Sequence, residues 1–258
     1  MSAILRVAGV DKSYGSHHVL KAISMEVMSG ETFAIIGPNG AGKTTLFKVM
    51  TGEVFAEAGE LEYAGQNITQ MPAHARVAIG MGRTFQIARI FPDVTARENL
   101  VVAIEARRRM RRESPQPWFL VTPRAQTIEE ADARLRDVGL LEKKDIEAKF
   151  LSHGDKKRLE IGIALAGEPR VLMLDEPTAG MSPSDRVETS ELLGRLRAST
   201  GVTIVMTEHD MDVIYGLAHR ILVMNQGEVI AIGDIDEIRA NATVRDVYLG
   251  KEMYSADD

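Results

Sequence analysis

Gly37-Pro38-Asn39-Gly40-Ala41-Gly42-Lys43-Thr44 decides how this chain is read. The stretch matches G-x-x-x-x-G-K-[ST]; it follows the apolar run Thr32–Ile36 and opens a helical pattern that continues through Lys48. Its glycines let a backbone wrap closely around an anion and turn amide N–H groups inward. A helix starting at Lys43 adds its partial positive end to the same place. Gly37, Pro38, Asn39, Gly40, Ala41, Gly42, Lys43, Thr44 and Thr45 are therefore the candidate phosphate-binding residues. In this pattern Lys43 reaches the β- and γ-phosphates of a nucleotide, and the Thr44 hydroxyl is a candidate ligand for Mg²⁺.

Outward from this turn, short β-branched runs alternate with longer helical patterns, the sign of an α/β fold with a largely parallel sheet. Residues 32–36, 171–175 and 202–207 are nearly continuous apolar runs, as strands covered on both faces should be. Residues 4–10 and 19–28 alternate more, with a Gly-containing turn at residues 14–16, and predict a small antiparallel layer that residues 60–63 could join. Residues 95–109, 125–138 and 152–165 carry apolar side chains at helical spacing, and the proline-rich stretch 114–123 reads as a loop. Ser182 followed by Pro183 predicts a capped helix to about residue 198, stopped by Gly201, and another helix should follow residues 207–210. The expected organisation is one domain over residues 1–258, with a core of about 1–90 and 160–250 and an α-helical insert of about 91–159.

Composition limits the partners. The 258 residues carry 31 Lys+Arg against 37 Asp+Glu, a net charge of −6, so no general basic field invites nucleic acid. With 45% hydrophobic and 26% charged residues the chain reads as globular, and with no Cys it can hold neither disulfides nor Cys-ligated zinc. No apolar run approaches the roughly 18–20 residues of a spanning helix, and the N-terminus lacks a secretory pattern; an intracellular, soluble chain is expected.

The run at residues 171–174 ends in Asp175-Glu176. Adjacent carboxylates at a buried strand end lose hydration, and Mg²⁺ with a reacting water would compensate them. Asp175 is the candidate Mg²⁺ ligand and Glu176 the candidate base for the water. His209 follows another apolar run, at a strand end where ligands gather in open α/β sheets. Gln86, in Arg83-Thr84-Phe85-Gln86, is by itself only a polar residue near a strand end.

Leu151-Ser152-His153-Gly154-Asp155, followed by a helical pattern, resembles the LSGGQ signature of ATP-binding cassette (ABC) proteins. The order Tyr14, phosphate turn, Gln86, Ser152/Gly154, Asp175-Glu176, His209 is also similar to that family, and the likeness covers nearly the whole chain. It implies a P-loop NTPase (RecA-like) core with a parallel sheet, a small antiparallel β layer and an inserted α-helical subdomain. It implies that Tyr14 stacks on adenine, that Gln86 senses Mg²⁺ and water while touching a membrane subunit, and that His209 holds the γ-phosphate and helps position the water. Ser152 and Gly154, a Ser cap at a helix N-terminus, would face the ATP of a second cassette, two cassettes closing head-to-tail around two ATP molecules. Two departures stand out. His153 and Asp155 replace a Gly and the Gln of the signature, so Asp155 should weaken the closed dimer unless it points away. Ala179-Gly180-Met181-Ser182 replaces the usual S-A-L-D.

Arg83-Thr84-Phe85-Gln86, Phe91, Glu98-Asn99-Leu100, Arg158-Leu159-Glu160-Ile161, Asp175–Gly180, Glu208-His209-Asp210-Met211 and Tyr248-Leu249-Gly250 resemble ATPase subunits of branched-chain amino-acid importers, with urea and short-amide importers close by. That likeness implies two transmembrane permease subunits, an extracytoplasmic solute-binding protein, and a peripheral position on the cytoplasmic face of the cell membrane. The five arginines within residues 107–112 read as a solvated helix end, or alternatively as a surface for anionic lipid headgroups.

Overall fold

The computed structural model of the chain describes residues 2–84, 90–113 and 122–246. In chain order the first half contains β1 (Ala3–Tyr14), β2 (His17–Met28), β3 (Thr32–Ile36), α1 (Lys43–Thr51), β4 (Ala58–Tyr63), β5 (Gln66–Asn67), α2 (Ala73–Ala78), β6 (Met81–Arg83) and α3 (Ala96–Met110). Then come α4 (Ala125–Asp137), short 3₁₀ turns at Leu141–Lys143 and Ala148–Phe150, α5 (His153–Ala166), β7 (Val171–Asp175) and α6 (Pro183–Thr200). The last part holds β8 (Thr203–Thr207), α7 (Met211–Leu217), β9 (Arg220–Asn225), β10 (Glu228–Gly233), α8 (Ile235–Ala240) and α9 (Ala242–Val244). These residues fall into two compact units, Met1–Arg76 with Thr203–Asp258, and Val77–Val202. Among the described residues no helix is long and apolar enough to cross a membrane.

In the first unit β3 lies between β8 and β9, parallel to both, and β10 returns antiparallel to β9. Every residue of β3 and β8 is buried, as their unbroken apolar runs require. A second sheet, ordered β2-β1-β4-β5, is antiparallel. Its first two strands are longer than the alternation of their sequences suggests. Register shifts between Val7 and Val10 and between Val10 and Lys12 interrupt the period of two while pairing continues to Tyr14. The hairpin of β9 and β10 turns through Gln226 and Gly227, both at positive φ, the two-residue geometry that matches strand twist.

Arg76 holds the end of α1 in place. Its buried guanidinium donates to the carbonyls of Val49 and Met50 (2.8 and 2.7 Å), Ile68 and Thr69 (2.7 and 3.3 Å) and Met71 (2.8 Å). Burial lowers its pKa to about 10, so the group remains charged at neutral pH.

In the second unit β6 pairs parallel with β7, and every residue of β7 is buried. Helix α3 begins with a capping box. The Thr95 hydroxyl accepts from the Glu98 N–H, and the Glu98 carboxylate accepts from the Thr95 N–H. Buried Asn99 accepts from the Phe91 N–H and donates to the Phe91 and Thr95 carbonyls, fixing the entry to that helix. Leu100, Ile104, Ala131, Leu135, Leu159 and Ile161 fill the interior of the helical part.

The arginine run is a solvated helix end only in part: Arg109, Arg111 and Arg112 are exposed, but the first two arginines are not. Arg107 and Arg108 are buried and share Glu130, at 2.7 and 3.0 Å. Glu168 takes Arg107 at 2.8 Å and Arg111 at 2.6 Å. Burial raises the Glu168 pKa, but the Arg111 hydrogen bond and the charges of Arg107 and Arg111 outweigh it and hold the carboxyl below its ordinary value. Most of the predicted 114–123 loop and the Tyr248-Leu249-Gly250 segment lie outside the described residues.

Candidate nucleotide-binding site

The first unit carries the phosphate turn. Residues between β3 and α1 form it, with Gly37, Gly40 and Gly42 at φ of 150°, 81° and 101°. A Cβ at Gly37 would sit 2.2 Å from the Met224 carbonyl oxygen, and one at Gly42 would sit 2.9 Å from that of Val19, so neither position accepts a larger residue without movement. Gly42 is also the N-cap of α1 and supplies no side-chain cap. The first turn of the helix thus begins with amide N–H groups that a phosphate can satisfy. Lys43 is buried, and its ammonium folds back over the turn to donate to the carbonyls of Gly37 (2.6 Å) and Pro38 (3.1 Å). Asn39, Gly40 and Thr44 are exposed, while Leu46, Phe47, Val49 and Met50 bury the opposite side of α1. Each such burial contributes about 1.5–3 kcal/mol and anchors the helix behind the turn.

Tyr14, at the end of β1, is 49% exposed, with the Lys12 ammonium 5.5 Å from its ring centroid. The ring offers an open face for stacking. His209 is exposed just beyond β8. Its backbone N–H donates to the Glu208 carboxylate at 2.9 Å, and the neighbouring Asp210 caps α7 by accepting from the N–H groups of Asp212 and Val213.

The second unit carries the acids and the signature. Asp175 is buried at the end of β7. Glu176 follows at φ 49°, a left-handed backbone that costs a non-glycine residue about 1–2 kcal/mol. A turn in which the Ala179 N–H donates to the Glu176 carbonyl at 3.2 Å closes behind it. Strain retained at a strand end bearing two carboxylates points to function. Among the described residues no cluster of three or more His, Cys, Asp or Glu could cage a metal. Each unit offers a hard oxygen of the kind Mg²⁺ takes, the Thr44 hydroxyl in the first and the Asp175 carboxylate in the second. Gln86 lies outside the described residues.

Ser152 caps α5 by accepting from the Asp155 N–H at 3.1 Å, as its sequence position suggests. Asp155, three residues beyond the cap, turns into the interior of this unit. It is 2% exposed and pairs with Lys143 at 2.5 Å and Arg158 at 2.7 Å. Burial raises its pKa, yet the hydrogen bonds from Lys143, Ser152 and Arg158 prevail and keep the carboxyl below its usual range. The Asp155 carboxylate is therefore neutralised within this unit by Lys143 and Arg158. The Arg158 contact lies three residues along one helix and is legible in sequence; the Lys143 contact is not. Sequence reading also missed the role of His153, whose Nε2 meets the Ala179 carbonyl at 3.2 Å.

Comparison with known proteins agrees with this geometry. The family model described as ABC transporter matches residues 20–179. The high-affinity branched-chain amino acid transport ATP-binding protein LivG of Salmonella typhimurium is 37% identical over 253 residues, covering 96% of this chain and 98% of LivG. The lipopolysaccharide export system ATP-binding protein LptB of Acidithiobacillus ferridurans is 32% identical over 253 residues, covering 98% and 99%. The ADP conformation of MJ1267, an ATP-binding cassette of an ABC transporter, superposes with a TM-score of 0.84 at 28% identity, covering 97% of this chain and all of that one. With its cassette fold, its glycine-built phosphate turn and these full-length likenesses, the chain belongs to the ABC transporter family, as an ATP-binding subunit that hydrolyses ATP.

Proposed function

We propose that this subunit powers an importer of branched-chain amino acids or related small amides. The observation that carries this reading is the likeness to LivG over nearly the full length of both chains. The subunit would sit peripherally on the cytoplasmic face of the cell membrane, beside two permease subunits that receive solute from an extracytoplasmic binding protein. It would not itself touch the solute. Two cassettes, identical or homologous, would close around ATP and reopen after hydrolysis, biasing the permeases between access states.

In this reading the amides of residues 37–45 and the Lys43 ammonium hold the triphosphate, and Tyr14 stacks on the adenine. Thr44, Asp175 and Gln86 would hold Mg²⁺, which when bound offsets charge on the phosphate oxygens. Glu176 orients and deprotonates the attacking water, and His209 steadies the γ-phosphate while helping to align that water. Ser152 and Gly154 supply a second helix N-terminus to the ATP of the partner cassette.

The test is affinity purification of the tagged full chain from native membranes, followed by uptake of labelled leucine, isoleucine, valine and short amides by cells with and without it. Copurification of two permeases and loss of one of these uptakes in the deletion strain are expected. Unaltered uptake, or permeases of an exporter, would overturn the import reading. Turnover of Glu176→Gln checks the site separately, with hydrolysis expected to fall by about 10²- to 10⁴-fold.

A further inference from the structure

The two places where this chain departs from the family pattern touch each other. His153, the first residue of α5, reaches the Ala179 carbonyl with its Nε2 at 3.2 Å. A carbonyl only accepts, so this bond places the ring proton on Nε2. Ala179 is held at its other end as well, through its N–H on the Glu176 carbonyl at 3.2 Å. Next to it Gly180 lies at φ 74°, and a Cβ there would come within 3.3 Å of the same His153 nitrogen. Glycine at this position allows the turn and leaves room for the imidazole. One residue along, a Cβ on Gly154 would meet the Asp185 carboxylate at 3.2–3.4 Å, and one helical turn further Arg158 pairs with Glu188 at 3.0 Å. Successive positions of α5 thus bear on the segment from Ala179 to the first turns of α6, and His153 is the one that grips the turn carrying Glu176.

We propose that His153 is a positioning residue for ATP hydrolysis: by holding the Ala179 carbonyl it locks the turn that keeps Glu176 in its left-handed conformation. With Ala179 fixed through its N–H on one side and its C=O on the other, the two successive peptide groups that flank it leave the Glu176 backbone little freedom to relax from φ 49° into an ordinary region. The carboxylate is then presented in one direction without reorganisation during turnover. Nε2 keeps its proton in both the neutral tautomer and the imidazolium, so the grip does not depend on the charge of the ring. The functional half of this inference rests on the assignment of Glu176 to the attacking water; the mechanical half does not.

The experiment has two arms. In the full chain alone, hydrogen exchange of the peptide spanning residues 176–182 is compared between wild type and His153→Ala. Loss of one hydrogen bond should speed exchange there by about 3- to 10-fold, leaving β7 peptides unchanged. In the copurified transporter, His153→Ala should lower kcat by a similar factor of about 3- to 10-fold with KM for ATP unaltered. His153→Gln, whose amide can donate to the same carbonyl, should restore both quantities. Unchanged exchange in His153→Ala overturns the lock itself. Faster exchange with normal kcat, or a kcat loss that His153→Gln does not repair, overturns the positioning role. Normal turnover in Glu176→Gln would sink the Glu176 assignment and leave the exchange arm standing.

Discussion

The turns at residues 37–45 and 152–155 both end on a helix N-terminus, yet they are shaped by different means. The first is glycine-built: three glycines at positive φ, an N-cap without a side chain, and a lysine whose ammonium folds back on the loop carbonyls. The second has a Ser cap and is braced from outside, with Asp155 drawn to Lys143 and Arg158 and His153 drawn to Ala179. Glycines leave amides unobstructed, so the first turn offers its backbone to an anion. The second presents a hydroxyl and relies on neighbouring side chains for its shape. The difference implies that substitutions in the first turn act mainly on nucleotide affinity, and those in the second mainly on local stability and turnover.

The strongest challenge to this contrast is Lys43→Ala. Removing charge-assisted bonds to two phosphates should cost about 3 kcal/mol or more, lowering ATP affinity by over 100-fold while the fold persists. Calorimetric titration of the full chain with MgATP checks it, and unchanged affinity would remove Lys43 from the phosphates.

Asp155→Ala sharpens the contrast from the other side. It should lower stability by about 1–3 kcal/mol, because Lys143 and Arg158 lose a buried partner, with nucleotide affinity of the single chain unaltered. The sign with pH follows from the lowered carboxyl. The contribution is fully present above the unfolded-state pKa of about 3.9 and is lost as pH falls through the lower folded value. Denaturant midpoints of wild type and variant should therefore differ at neutral pH and converge in acid. A constant difference at every pH would show that the carboxylate charge is not the source.

The smallest effect is expected for Ser152→Ala in the nucleotide-free chain. Loss of the cap should cost about 1 kcal/mol, seen as a shift in denaturant midpoint. A cost matching that of Asp155→Ala would make the hydroxyl, and not the ion pairs, the main brace of this turn.

Much of the architecture is legible along the chain because the physics is local. The all-buried strands β3, β7 and β8 are continuous apolar runs, and α3, α5 and α6 start at Thr95, Ser152 and Ser182, each with a side chain able to cap. The β9–β10 hairpin escaped reading although Asn225-Gln226-Gly227 between apolar runs signals it. The extent of β1 was hidden by bulges, which break the alternation without ending the pairing. The start of the arginine run misled for another reason: the partners of Arg107 and Arg108, Glu130 and Glu168, are remote in sequence and become neighbours only through packing.

What the chain determines by itself is therefore the phosphate turn, the buried strands and the helix starts, since glycine torsions, side-chain caps and apolar periodicity act within a few residues. Tertiary structure decides where charge and strain come to rest. It turns Asp155 inward toward Lys143, buries Arg107 and Arg108 against Glu130, surrounds Arg76 with carbonyls and sets His153 against Ala179. A buried polar group must find its partner wherever the fold delivers one, and that distance in space has no signature in the spacing of the sequence.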